Sequence, residues 1–109
     1  MSLILPPPYH IAETKLTKYL LVSLPKNDKS NYLTGAGYSL ANLSKLSQDL
    51  IALVQHTEAV LERTSRYGMS YSVTGQLISP SRRPIWVKTI WMRDADEEIT
   101  KFITLYPPN

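Results

Sequence analysis

The chain has 109 residues, a length that suits one compact domain, and a formal charge of +3 at neutral pH. With 43% hydrophobic and 19% charged residues, it has the composition of a folded domain rather than a disordered one. Cysteine is absent and the only histidines are His10 and His56, which excludes disulfides, thiolate catalysis, Cys-ligated metals and multi-histidine metal sites; no cofactor and no metal are expected.

Residues 1–12 read as an extended N-terminal arm around Pro6-Pro7-Pro8, and residues 13–109 as a single domain. The first residues lack the basic start and apolar core of a secretory signal, and no apolar run approaches the roughly 20 residues that span a bilayer. A cytoplasmic protein without membrane contact is expected. Between Glu13 and Leu24, Leu16, Tyr19, Leu20 and Leu24 fall at helical spacing, and Pro25 ends the segment. A strand beginning at Tyr19 is the rival reading of the same residues. Lys26 to Asn31 is polar and turn-forming.

The clearest helix runs from Leu40 to Leu61, with Leu43, Leu46, Leu50, Leu53, Val54 and Leu61 in one apolar stripe and Ser39 or Asn42 as its cap. His56 sits at the edge of that stripe and reads as an ordinary packed or surface histidine. From Tyr67 the period changes to two. Tyr71, Val73 and Leu77 share one strand face, while Ser70, Ser72, Thr74 and Gln76 share the other. Gly75 marks a bulge or a close approach.

A second strand covers Ile85 to Met92, with Trp86, Lys88 and Ile90 on one face and Thr89 and Trp91 on the other. Asp94, Asp96, Glu97 and Glu98 solubilise the following turn rather than hold a cation. A third strand covers Ile99 to Tyr106, with Thr100, Phe102, Thr104 and Tyr106 on one face and Lys101, Ile103 and Leu105 opposite. The expected fold is α+β: N-terminal helices packed on a C-terminal antiparallel β-sheet of three or four strands.

Charge is segregated along the chain. Arg63, Arg66, Arg82, Arg83, Lys88 and Arg93 follow one another with no acid among them. Such a segment suits a phosphate-rich partner, with RNA the expectation, although a solvated sheet edge has the same appearance.

Several short motifs recur in a known order: Lys15 to Leu21, Lys29-Ser30-Asn31-Tyr32-Leu33 followed by Gly37-Tyr38, Tyr67-Gly68 with Tyr71, Val73, Gly75 and Leu77, Thr89-Ile90-Trp91, and Phe102 to Pro107. In these the chain resembles the bacterial family of unknown function numbered DUF6883, over about Lys15 to Pro107. The closing Phe102-Ile103-Thr104-Leu105-Tyr106-Pro107 is also similar to the last strand of toxin ribonucleases of the barnase, colicin and bacterial-toxin superfamily. That more remote resemblance implies a toxin of a toxin–antitoxin pair, neutralised by a small antitoxin or immunity protein. Many relatives carry a histidine and an arginine before the lysine matching Lys29; here the loop reads Pro25-Lys26-Asn27-Asp28-Lys29.

A metal-independent endoribonuclease must activate the 2′-hydroxyl, stabilise the phosphorane and protonate the leaving 5′-oxygen. The candidates for that work are Lys29, Arg66, Lys88, Thr104 and Tyr106, with Arg82, Arg83, Thr89, Trp91 and Arg93 as RNA contacts. Lys88 is the most informative, because a lysine between apolar neighbours in a middle strand must snorkel, pair or line a site. Trp91 offers either a stacking surface for a base or a core residue. His10, in the arm, supplies an imidazole only if the arm folds back. The missing loop histidine keeps a second reading open, a non-catalytic protein-binding or RNA-binding module.

Overall fold

A computed structural model of the chain describes residues 3–16, 33, 37–78, 84–94, 96 and 98–107. In chain order these contain strand β1 (Tyr9–His10), the single turn α1 (Glu13–Lys15), helix α2 (Leu43–His56), and strands β2 (Val60–Ser65), β3 (Gly68–Ile78), β4 (Pro84–Asp94) and β5 (Thr100–Tyr106). The strands form one five-stranded sheet in the order β1-β5-β4-β3-β2, with β1 parallel to β5 and the other neighbours antiparallel. None of the helices among the described residues is long and apolar enough to cross a membrane.

The expected layout of N-terminal helices on a C-terminal antiparallel sheet is corrected by this topology. The sheet is mixed, it begins before the long helix, and among the described residues only α2, with the 3-10 turn Leu40–Asn42 leading into it, forms a helix of any length. Two strands lacked the alternation by which strands are recognised. β1 has two residues, too few to display a period, and is held by distant partners: the Thr100 amide donates to the Pro8 carbonyl (2.9 Å) and the Thr100 hydroxyl to the Pro6 carbonyl (2.7 Å). β2 is exposed throughout and lies where the expected helix would have continued to Leu61. Helix α2 instead stops at His56, and Thr57 takes an extended conformation. Most of the expected Glu13–Leu24 helix lies outside the described residues.

The 3-10 turn Leu40–Asn42, which leads into α2, starts where the sequence has its capping signal. The Ser39 hydroxyl accepts from the Ala41 amide (3.2 Å), and the Asn42 side chain accepts from the Ser39 amide (2.7 Å). Leu46, Leu50, Leu53 and Val54 are buried against the sheet. Gly75 marks a close approach: a Cβ there would stand 2.7 Å from the Leu53 Cδ1. The helix-facing side of the sheet carries Tyr71, Val73 and Leu77 from β3, Val87, Thr89 and Trp91 from β4, and Phe102 and Leu105 from β5, all buried.

Trp91 lies at the centre of this core, completely buried, with Phe102 and Tyr9 meeting its ring edge-on at centroid distances of 5.3 and 6.3 Å. Each such pair contributes about 0.5–1.5 kcal/mol beyond the area it buries. The indole N–H donates to the Thr89 hydroxyl (2.8 Å), which donates in turn to the Val73 carbonyl (2.7 Å). Two expected RNA contacts are therefore corrected: Thr89 and Trp91 have no exposed surface to offer a base. Replacing Thr89 by valine keeps the shape and strands the buried indole N–H. Thr89→Val is expected to lower the unfolding free energy by about 1–3 kcal/mol in urea titrations.

Tyr38 is also buried, and its hydroxyl donates to Asp49 Oδ2 (2.6 Å), while Lys45 bonds the other carboxylate oxygen at 2.8 Å. Burial, and then the bond to Asp49 and its charge, push the phenol well above the usual tyrosine range. In the unfolded chain Tyr38 loses its proton near pH 10, while the folded chain still holds it, so stability falls as pH rises past about 10. Tyr38→Phe is expected to flatten that alkaline decline relative to the parent protein, measured as unfolding free energy between about pH 9 and pH 11.

Candidate functional site

One face of the sheet is covered by α2, and the strand period sends every second side chain to the opposite face. Lys88 lies near the middle of that open face. Its strand neighbours across the ladder are Thr74 on β3 and Tyr106 on β5. Its ammonium stands 3.8 Å from Glu62 Oε1, and the same oxygen accepts the Ser72 hydroxyl at 2.6 Å. Both charged side chains are about half exposed, at 47% for Lys88 and 42% for Glu62. Trp86, two residues before Lys88 on its own face, is 50% exposed, and Tyr106 is 46% exposed.

Two bulges make this arrangement. The β2–β3 register shifts between Leu61 and Arg63, so Glu62 is an extra residue in β2 and its carboxylate comes to lie beside Ser72 and Lys88. The β4–β5 register shifts between Ile90 and Trp91: Ile90 opposes Thr104, and Trp91 opposes Phe102. Ile103 is therefore the extra residue in β5. This corrects the expectation that Thr100, Phe102, Thr104 and Tyr106 share a face. Thr100 and Phe102 turn inward, whereas Thr104 and Tyr106 join Lys88 outside.

Of the five residues expected to carry catalysis, the structure brings together Lys88, Thr104 and Tyr106. Arg66 is in the turn between β2 and β3, where Gly68 opposes Asp94; this is six residues along the ladder from Lys88, or about 20 Å. There its guanidinium lies 4.9 Å from the Tyr67 ring centroid and donates to the Tyr67 hydroxyl at 2.7 Å. Arg93 is committed on the helix-facing side, donating to the Thr100 hydroxyl at 2.6 Å. Lys29, Arg82 and Arg83 lie outside the described residues. His10 is exposed at the end of β1, opposite Lys101 in the register.

Glu62 was missed in the sequence because its segment continued a helical stripe; the signal that could have found it is the β-compatible stretch Val60 to Ser65 leading into the Arg66-Tyr67-Gly68 turn. A separate hollow of about 210 Å³ lies at the end of α2, lined by Asp49, His56, Thr57 and Gln76 among others. Asp49 is already engaged there by Tyr38 and Lys45. Among the described residues no group of three acidic or histidine side chains is placed to hold a metal ion.

The family described as "Domain of unknown function (DUF6883)" matches residues 8–109. The chain belongs to this family. The matched span begins one residue before β1, so all five strands of the sheet, and with them the Lys88 cluster, fall within the DUF6883 domain. Compared with curated proteins and with solved structures, the chain has no match among either.

An exposed ion pair contributes little to stability, so Lys88 and Glu62 hold the fold together only weakly. Lys88→Met is expected to change the unfolding free energy by less than about 1 kcal/mol in chemical denaturation. A larger loss would make this lysine a structural element instead.

Proposed function

We propose that the open face of the sheet binds RNA and cleaves it without a metal, as the endoribonuclease of a toxin–antitoxin pair. The observation that carries this reading is the convergence of a carboxylate and an ammonium, 3.8 Å apart, with Tyr106 directly across the ladder from the lysine. Metal-free cleavage needs a base, a cation and an acid within reach of one phosphodiester. Glu62 takes the proton of the 2′-hydroxyl. The 2′-oxygen attacks the adjacent phosphorus, and Lys88 balances the charge that builds on the phosphorane oxygens. The Thr104 hydroxyl hydrogen-bonds a non-bridging oxygen. The Tyr106 hydroxyl gives its proton to the departing 5′-oxygen, leaving a 2′,3′-cyclic phosphate and a 5′-hydroxyl. Trp86 offers a ring face on which a neighbouring base stacks.

The similarity of Phe102 to Pro107 to the last strand of toxin ribonucleases supports the toxin part of the reading, and with it a small neutralising partner. A second reading, a non-catalytic protein-binding face, is favoured by a different observation. Val60, Ile78 and Trp86 all point to the open side and are at least half exposed.

Purified protein incubated with total RNA in EDTA is expected to generate fragments ending in 2′,3′-cyclic phosphate. Lys88→Ala is expected to slow cleavage by at least about 100-fold, the scale on which removing one transition-state donor acts. Intact RNA after prolonged incubation with the folded, inhibitor-free parent protein overturns the enzyme. Salt-dependent retention of that intact RNA would then identify a binding module.

A further inference from the structure

β2 is the outermost strand of the sheet, all six of its residues are exposed, and among the described residues no strand pairs with its outer edge. It reads Val60-Leu61-Glu62-Arg63-Thr64-Ser65. Leu61 is 50% and Val60 60% exposed, and the strand contains neither proline nor lysine; of the features that guard an open edge it has a bulge and two charges of opposite sign. Its charges, Glu62 and Arg63, are adjacent and opposite, and they lie at its middle. We propose that β2 pairs antiparallel with β2 of a second copy of this chain, joining two five-stranded sheets across a two-fold axis that passes between Glu62 and Arg63.

The bulge is what makes this register possible. In a regular strand two adjacent residues face opposite sides, so only registers that place a residue opposite a same-facing one are open to a two-fold pair. Centred on Glu62 or on Arg63, such registers set carboxylate against carboxylate or guanidinium against guanidinium, and like charges directly opposite are unfavourable. With Glu62 as the extra residue, the facing changes. Val60 opposes Ser72 and Arg63 opposes Ser70, both on the open side, and Glu62 itself bonds Ser72. Leu61 and Thr64 oppose Tyr71 and Met69, on the helix side. Pairing Glu62 with Arg63 of the second copy then matches open side to open side. In the same register Leu61 meets Thr64 of the second copy, helix side to helix side, and Val60 meets Ser65, again in phase. Each opposite-charge pair forms twice, as an isologous interface requires. The partner's Arg63 would also lie beside Glu62 and Lys88 on each open face. The pairing itself rests on β2 alone and not on the RNA reading.

Light scattering and sedimentation on successive dilutions of the full chain are expected to give twice the chain mass at high concentration. Arg63→Glu sets four carboxylates around the axis and is expected to leave a monomer. The charge-swapped double variant Glu62→Arg with Arg63→Glu is self-complementary again and is expected to restore the dimer. A monomer for the parent protein at every concentration overturns the proposal, as does a dimer that Arg63→Glu leaves intact or a swap that stays monomeric. Because the chain has no cysteine, Leu61→Cys with Thr64→Cys reports the register directly. Three residues apart along a strand, the two thiols stand about 10 Å from each other within one chain, too far to bridge. Oxidation is expected to give a covalent dimer from this double variant. A protein that stays uncrosslinked overturns the register.

Discussion

Burial of Trp91 on the helix-facing side of the sheet is the constraint on which the rest depends. Its ring joins elements from both ends of the chain, with Tyr9 of β1 on one side and Phe102 of β5 on another, and Tyr71 of β3 opposite it in the register. An indole at this depth requires a partner for its N–H, and Thr89, two residues away on the same face, supplies it and donates its own hydroxyl hydrogen bond to the Val73 carbonyl of β3. Among the described residues no buried side-chain nitrogen or oxygen lacks a hydrogen-bond partner. The hydroxyl in the core is thus part of how the indole is accommodated.

Once Trp91 faces inward, the period of β4 leaves no choice for its alternates. Trp86, Lys88 and Ile90 face outward, and Lys88 becomes a cation in the middle of an open sheet face. β5 meets the same constraint differently. Phe102 and Leu105 both belong to the core, but they are three residues apart, which a regular strand cannot place on one side. The extra residue at Ile103 resolves the conflict, and its consequence is that Thr104 and Tyr106 stand beside Lys88. A packing demand on the helix side therefore composes the open side. The bulge at Glu62, in a strand with no buried residue, brings a carboxylate over the neighbouring strand and gives the outer edge its self-complementary facing.

The long helix, the cap at Ser39 and Asn42 of the turn leading into it, the alternating β3 and β4, and the face that Lys88 shares with Trp86 and Ile90 were legible in the residues, and Gly75 read as either a bulge or the close approach it is. Each is set by contacts or periods within one element or between adjacent ones. The misplaced features share a different origin. β1 is two residues long and exists only because Pro6, Pro8 and Tyr9 meet Thr100 and Trp91 from the far end of the chain. β2 was hidden because Leu61 continued the helical spacing of Val54 and because no residue in it is buried, so no alternation marked it. Trp91 offered stacking or core by its type alone, and its depth decided for core.

By itself the sequence determined the family, the two dominant periods and the segregation of basic residues from Arg63 to Arg93. Those depend on composition and on neighbours a few positions apart. Only the tertiary structure decided which of those residues share a surface. It separated Arg66 from Lys88 by about 20 Å along the ladder, turned Arg93 toward Thr100, and set Glu62, Lys88, Thr104 and Tyr106 on one side. The physical reason is that a single extra residue in a strand reverses the facing of everything beyond it, and in β5 its insertion follows from the burial of both Phe102 and Leu105.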